Sequence, residues 1–220
     1  MKKLIFFILL VAISATSFGQ YRWEVSGGPT FSKINIDNID SEIGTGFYFN
    51  AGYGYLMGVR AKTSFVFSLD LVQRNSDINL VPTVFTPGDP VFVASSKSTV
   101  KALQVGFNPK FRYLFGRGKD RFRAFVNVGP SFRLNTKVEI GGVELESDEY
   151  EQLVIGGVYG AGFSQMIGEM FDIFFEAGVM NDFTDNLNDD DTSLVQVDSS
   201  KFFDFYARIG VRFRIYDARR

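Results

Sequence analysis

From Lys201 to Tyr216 the chain reads KFFDFYARIGVRFRIY, and from Phe203 onward apolar and polar side chains alternate without a break. Phe203, Phe205, Ala207, Ile209, Val211, Phe213 and Ile215 share one face. Asp204, Tyr206, Arg208, Gly210, Arg212 and Arg214 share the other. Strict period two is the signature of a β-strand. A contrast this strong sets one face against an apolar medium and the other against charge. A long strand of this kind close to the C-terminus points to a transmembrane β-barrel.

Seven earlier segments carry the same pattern. Trp23, Val25, Pro29 and Phe31 oppose Arg22, Glu24, Ser26 and Thr30. Phe47, Phe49, Ala51, Tyr53 and Tyr55 oppose Tyr48, Asn50, Gly52 and Gly54. Phe65, Phe67, Leu69 and Leu71 oppose Ser64, Ser68 and Asp70. Leu103, Val105, Phe107, Phe111 and Tyr113 oppose Gln104, Gly106, Asn108, Lys110 and Arg112. Phe122, Ala124, Val126, Val128 and Phe132 oppose Arg123, Asn127, Gly129, Ser131 and Arg133. Ile173, Phe175, Ala177 and Val179 oppose Asp172, Glu176 and Gly178. The segment from Tyr150 to Met166 is the weakest, because Val154 and Val158 fall on its glycine-rich face. The fold expected is all-β, an eight-stranded antiparallel up-and-down barrel.

The chain opens MKKLIFFILLVAISATSFGQ, a basic start, a short apolar run and a small polar stretch. That order predicts a secretory signal peptide over residues 1–19, cut between Gly19 and Gln20, with the barrel domain over residues 20–220. The apolar run is short of the roughly 20 residues a spanning helix needs. Loss of Lys2 and Lys3 takes the formal charge from -2 to -4. The sequence has no cysteine, so no disulfide contributes, and no histidine, which removes the commonest base and metal ligand. Neither the charge nor any motif suggests nucleic acid.

Connection lengths alternate. Gly58–Lys62, Gly116–Asp120 and Ile167–Met170 are tight. Asn35–Ile43, Leu80–Lys97, Gly141–Glu149 and Asn186–Ser199 are longer and polar, as in outer-membrane barrels. A soluble barrel with its apolar face inward also alternates. Four features put the apolar face outside, against outer-membrane lipid. Aromatic residues gather at the ends of that face. Glycines concentrate on the opposite face, where a narrow interior needs room. The strands exceed the usual soluble length. The polar-face charges also match in sign and height. Asp70 is expected level with Lys110 or Arg112, Glu24 near Arg212 or Arg214, and Glu176 near Arg208. Arg123 joins them as a lumen charge, since a buried charge needs a partner.

Arg208-Ile209-Gly210-Val211-Arg212-Phe213-Arg214-Ile215 resembles the β-signal read by the barrel assembly machinery, with Arg208, Gly210, Phe213 and Ile215 at the patterned places. The tail Tyr216–Arg220 departs from it, since many such proteins end on the aromatic. The mature chain also resembles the PorT-like outer-membrane β-barrel domain of Gram-negative bacteria. Val25-Ser26-Gly27-Gly28-Pro29-Thr30-Phe31-Ser32, Val105-Gly106-Phe107-Asn108-Pro109-Lys110-Phe111-Arg112-Tyr113 and Asn127-Val128-Gly129-Pro130-Ser131-Phe132 carry the likeness. It implies an architecture similar to the OmpA and OmpX barrels, and little about role.

A serine–histidine hydrolase lacks its base here. Glu24, Asp70 and Glu176 have basic neighbours and read as structural ion pairs rather than as catalytic carboxylates. Asp182, Asp185, Asp189, Asp190, Asp191 and Asp198 read as a solvated loop, since the ordered spacing of a calcium-binding loop is missing. Gly88-Asp89 between two β-prone runs predicts a hairpin within Leu80–Lys97. No enzyme activity, metal or cofactor is expected. The expected role is a structural or interaction component of the envelope, with a protein partner met through the long loops. A narrow porin-like channel and an accessory part of a secretion or gliding system are the alternatives.

Overall fold

The computed structural model describes residues 21–36, 39–57, 62–80, 83–86, 89–92, 96–116, 121–168, 170–187 and 199–215. The expected signal peptide and its Gly19–Gln20 junction, the C-terminal tail from Tyr216, and Asp189 to Asp191 with Asp198 lie outside the described residues.

The described chain is built of strands: β1 (Tyr21–Ile36), β2 (Ser41–Met57), β3 (Thr63–Leu80), β4 (Thr83–Thr86), β5 (Asp89–Phe92), β6 (Ser96–Leu114), β7 (Phe122–Ile140), β8 (Val143–Glu144), β9 (Leu153–Ile167), β10 (Phe171–Asp182) and β11 (Ser200–Ile215). Eight long strands pair antiparallel in the circular order β1-β2-β3-β6-β7-β9-β10-β11. Pairing of β1 with β11 and of β6 with β7 closes the cylinder. It is the eight-stranded, all-antiparallel barrel that the alternating segments predict. Closure leaves none of the eight long strands as a sheet edge, the main hazard of an open sheet.

Period two sorts the side chains as the sequence suggests. On β11, Ile209 is 63% exposed, whereas Arg208 and Arg212 are 1% exposed. Outward phenylalanines form a continuous belt, with ring contacts that cross strands: Phe65 with Phe111 and Phe171 with Phe213 at 5.6 and 5.3 Å between centroids. Trp23 meets Tyr53 edge-on at 5.0 Å near the tight-turn end. Such edge-to-face pairs add to the packing of the belt.

The strands run past this belt at the long-loop end. β6 and β7 have 19 residues each, about 60 Å of chain at the usual rise per residue. Their last outward residues are Lys101, Thr99 and Lys97 on β6, and Lys137 and Glu139 on β7. A register shift between Leu103 and Gln104 leaves Thr136 of β7 unpaired, which is a β-bulge. β7 then turns into β8 through Gly141 and Gly142, whose φ values of 61° and 86° favour glycine in both places.

Thr83–Thr86 and Asp89–Phe92 pair as the two arms of the expected hairpin, a separate two-stranded sheet. The barrel strands on either side of it, β3 and β6, pair as far as Leu80 opposite Ser96.

Candidate functional site

The chemistry-bearing groups converge in the lumen, which buried side chains fill. Among the described residues eight buried cations (Arg22, Arg74, Lys110, Arg112, Arg123, Arg133, Arg208 and Arg212) face six buried carboxylates (Glu24, Asp70, Asp172, Glu176, Asp182 and Asp204). They lie in tiers along the barrel axis.

At the tight-turn end, Arg112 grips Glu24 with two hydrogen bonds of 2.6 and 3.1 Å, and Arg212 donates to the same carboxylate at 3.3 Å. Arg123 and Arg22 reach Asp172 at 3.3 and 3.4 Å. Leu56, Leu114, Phe125 and Phe174 pack between these groups. The guanidiniums of Arg112 and Arg212 lie 4.8 Å from the Phe125 and Phe174 ring centres respectively, so the apolar packing also serves the charges. A cavity of about 10 Å³ remains, lined by Arg22, Glu24, Leu56, Arg112 and Arg212. That is room for about one water.

In the middle tier Arg208 donates to both oxygens of Glu176 at 2.7 Å, and to Ser26 Oγ at 3.2 Å. Its guanidinium lies among the rings of Tyr48, Tyr206 and Phe174. Tyr206 donates its hydroxyl to Glu176 at 2.7 Å. Asp70 accepts from the Tyr48 hydroxyl at 2.5 Å and from the amides of Asn50 and Asn108. Val72, Val158 and Met180 complete this tier as an apolar wall with the two tyrosines.

In the upper tier Asp182 accepts from Arg74 at 2.5 and 3.1 Å, from Arg133 at 3.0 Å and from the Asn186 amide at 2.9 Å. Arg74 also contacts Asp204 at 2.6 Å. Above it Ile34, Ile36, Ile78, Val100, Ala102, Val138, Leu187 and Phe202 form an apolar cap.

Glu24 and Glu176 lie directly opposite Arg212 and Arg208. Arg214 lies opposite Arg22 instead, and its side chain is outside the described residues. The expected pairing of Asp70 with Lys110 or Arg112 is not what the register produces. Asp70 faces Gly106, four and six residues from those cations along β6. Arg112 therefore descends to Glu24, Asp70 takes neutral donors, and the buried Lys110 Nζ has no hydrogen-bond partner. Asp182 is likewise no part of a solvated acidic loop. It is the last inward residue of β10. Arg208 and Gly210 of the signal-like segment point inward and Phe213 outward, while Ile215 is described only as strand.

Asp204, Tyr48 and Tyr206 were legible as inward positions, but not as partners, and Arg74 was missed although it continues the face of Ser68 and Asp70 at the same period. Val154 and Val158, which blur the pattern of β9, do so because they too face the interior. Phe125 and Phe174 interrupt the polar face for the same reason.

At the long-loop rim the charges are exposed. Lys97 bridges Glu42 and Asp77 at 2.7 and 3.1 Å. Lys137 bridges Glu139 and Glu144 at 2.7 and 3.1 Å. Hydrogen bonds from Thr99 and then Lys97 hold the Asp77 carboxyl below its ordinary range. The hydrogen bond from Lys137 does the same for Glu139.

No family model and no curated protein sequence matches the chain. Among solved structures it is similar to Neisserial surface protein A, at 16% identity over 88% of this chain and 97% of that one, with a TM-score of 0.50. The outer membrane protein OprG of Pseudomonas aeruginosa is 12% identical over 90% and 97%, with a TM-score of 0.46. The attachment invasion locus protein Ail of Yersinia pestis is 14% identical over 89% and 99%, with a TM-score of 0.43. At these identities the likeness to the Neisserial protein is one of fold, and the chain has the fold of an eight-stranded outer-membrane barrel.

Proposed function

We propose that this protein is an integral outer-membrane β-barrel of a Gram-negative bacterium, a non-enzymatic structural or interaction component of the envelope. The observation that carries this reading is the inversion of ordinary burial. Large apolar side chains such as Phe49, Phe67, Leu69 and Ile209 are 48, 47, 63 and 63% exposed around the whole cylinder, while arginines are buried within it. A patch of that extent is unfavourable in water and is what a lipid-facing wall requires. The expected signal peptide over residues 1–19 would take the chain out of the cytoplasm. The segment with Arg208, Gly210, Phe213 and Ile215 would address it to the barrel assembly machinery. The PorT-like domain family, read from the sequence motifs, is part of the same proposal. The long loops are the surface left for a protein partner.

Refolding from urea into lipid vesicles tests the reading. A membrane barrel inserts, resists added protease over β1 to β11, and migrates faster on a mild-detergent gel before boiling than after. A protein that stays in the aqueous fraction, or a band that boiling leaves unchanged, would refute it. The filled lumen argues against the channel alternative. Steady channels of large conductance in planar bilayers would restore it.

A further inference from the structure

The edge of the apolar belt carries two lysine pairs on opposite walls, and their surroundings differ. On the β6–β7 wall, Lys137 stands opposite Leu103, and Lys101 opposite Glu139. Glu139 and Glu144 already engage Lys137. On the β1–β11 seam, Lys33 stands opposite Phe203, and Lys201 opposite Asn35. Neither seam lysine forms an ion pair with a described residue. The outward positions of β1 and β11 carry no carboxylate. Thr45 of β2, opposite Phe31, and Asn181 of β10, opposite Phe203, flank the seam and are uncharged, and Asp185, beside the upper end of β11, already accepts from the Ser199 hydroxyl and the Ser200 N–H at 3.0 and 2.8 Å. Directly below lie the exposed rings of Phe31 and Phe205.

The geometry points to a docking surface for a phosphorylated lipid headgroup at the β1–β11 seam, with Lys33 and Lys201 on the phosphate, the Asn35 amide beside them, and the acyl chains along Phe31, Phe203 and Phe205. Two ammonium groups without an ion pair among the described residues supply attraction for an anion. A lipid is favoured over a free anion because the apolar wall begins one strand position below the charges, matching a molecule with phosphate and hydrocarbon joined. Lysine at such a boundary also reaches readily toward the headgroup layer. This inference rests on the membrane reading above.

Purified barrel in neutral detergent, titrated with bisphosphorylated lipid A and with the same lipid after dephosphorylation, tests it by native mass spectrometry. Each juxtamembrane lysine strengthens binding to an anionic lipid surface about five-fold. The Lys33→Gln/Lys201→Gln variant is therefore expected to bind the phosphorylated lipid roughly tenfold or more weakly. Lys101→Gln/Lys137→Gln should stay within about two-fold, since carboxylates already offset Lys137. Inorganic phosphate at the same concentration should compete poorly. Equal binding of the dephosphorylated lipid, wild-type binding by the seam variant, or full competition by inorganic phosphate would each overturn the inference. All four positions face outward, so the variants should keep heat-modifiable migration, which verifies their folding. If the protein does not enter membranes, the membrane reading falls. If it inserts and the titration shows no phosphate preference, only the seam proposal falls.

Discussion

Arg208 and Glu176 stand directly opposite one another on β11 and β10, and one guanidinium nitrogen lies 2.7 Å from each carboxylate oxygen. Both side chains are buried, with aromatic rings around the cation. Removing one partner leaves the other charge stranded. Glu176→Gln or Arg208→Met should each destabilise the barrel by about 3–5 kcal/mol. The double change Glu176→Gln/Arg208→Met should cost less than the sum, since no charge is then left alone. Urea-unfolding midpoints in vesicles, arranged as a double-mutant cycle, measure this. Strict additivity would show that the pair is not coupled.

Lys110 illustrates the opposite case. It is fully buried and its ammonium makes no hydrogen bond. Burying such a group without a partner costs more than filling its volume with methylenes gains. Lys110→Met keeps the length and removes the charge, so it should stabilise the barrel by about 1–3 kcal/mol. A rise in the urea midpoint at unchanged slope is the expected result. A fall of similar size would mean that Lys110 is held by an interaction stronger than its hydrogen bonding suggests.

The sequence made the closed barrel legible because alternation survives in every long strand, and each inward or outward assignment follows from neighbours two residues away. Pairing inside the lumen was legible only where the partners stand directly opposite on neighbouring strands. Glu24 with Arg212 and Glu176 with Arg208 meet that condition, since β11 pairs with β1 and β10 along most of its length. Asp70 did not. On β6 its register partner is Gly106, and Lys110 and Arg112 stand opposite Val66 and Ser64, so the cations of that strand lie nearer the tight turn than Asp70 does. Arg74 with Asp182, and Arg112 with Glu24, join strands that are not neighbours. Such contacts depend on side-chain reach across the lumen and leave no periodic trace. The apolar tiers were hidden differently: Phe125, Phe174, Val154 and Val158 look like lapses in a polar face, whereas they fill the space between charges.

Asp77 provides a pH-dependent prediction at the exposed rim. Hydrogen bonds from Thr99, at 2.7 Å, and from Lys97 stabilise its charged form. Its folded pKa is thus depressed below the unfolded value. The associated stability is present above the unfolded carboxylate pKa and is lost as pH falls through the folded one. Thr99→Val removes the larger cause and should move the Asp77 titration upward toward the ordinary aspartate range. Carboxyl-resolved NMR titration of the barrel in micelles reads this directly. An unchanged midpoint would assign the shift to Lys97 instead.

The β4–β5 hairpin pairs with itself, while the barrel strands it joins already meet, with Leu80 opposite Ser96. Thr83–Thr86 and Asp89–Phe92, four residues each, contribute no pairing to the closed sheet among the described residues. Replacing residues 81–95 with Asn-Gly would join Leu80 to Ser96 through a two-residue turn whose twist suits antiparallel strands. The shortened chain should refold into vesicles with its heat-modifiable band intact. Its urea midpoint should match wild type or rise slightly, because a shorter loop costs less entropy to close. Contact with a protein partner through this loop would then be lost without loss of the barrel. If the shortened chain instead fails to insert, the hairpin is needed to align β3 with β6 during folding, and the barrel register is not set by the two strands alone.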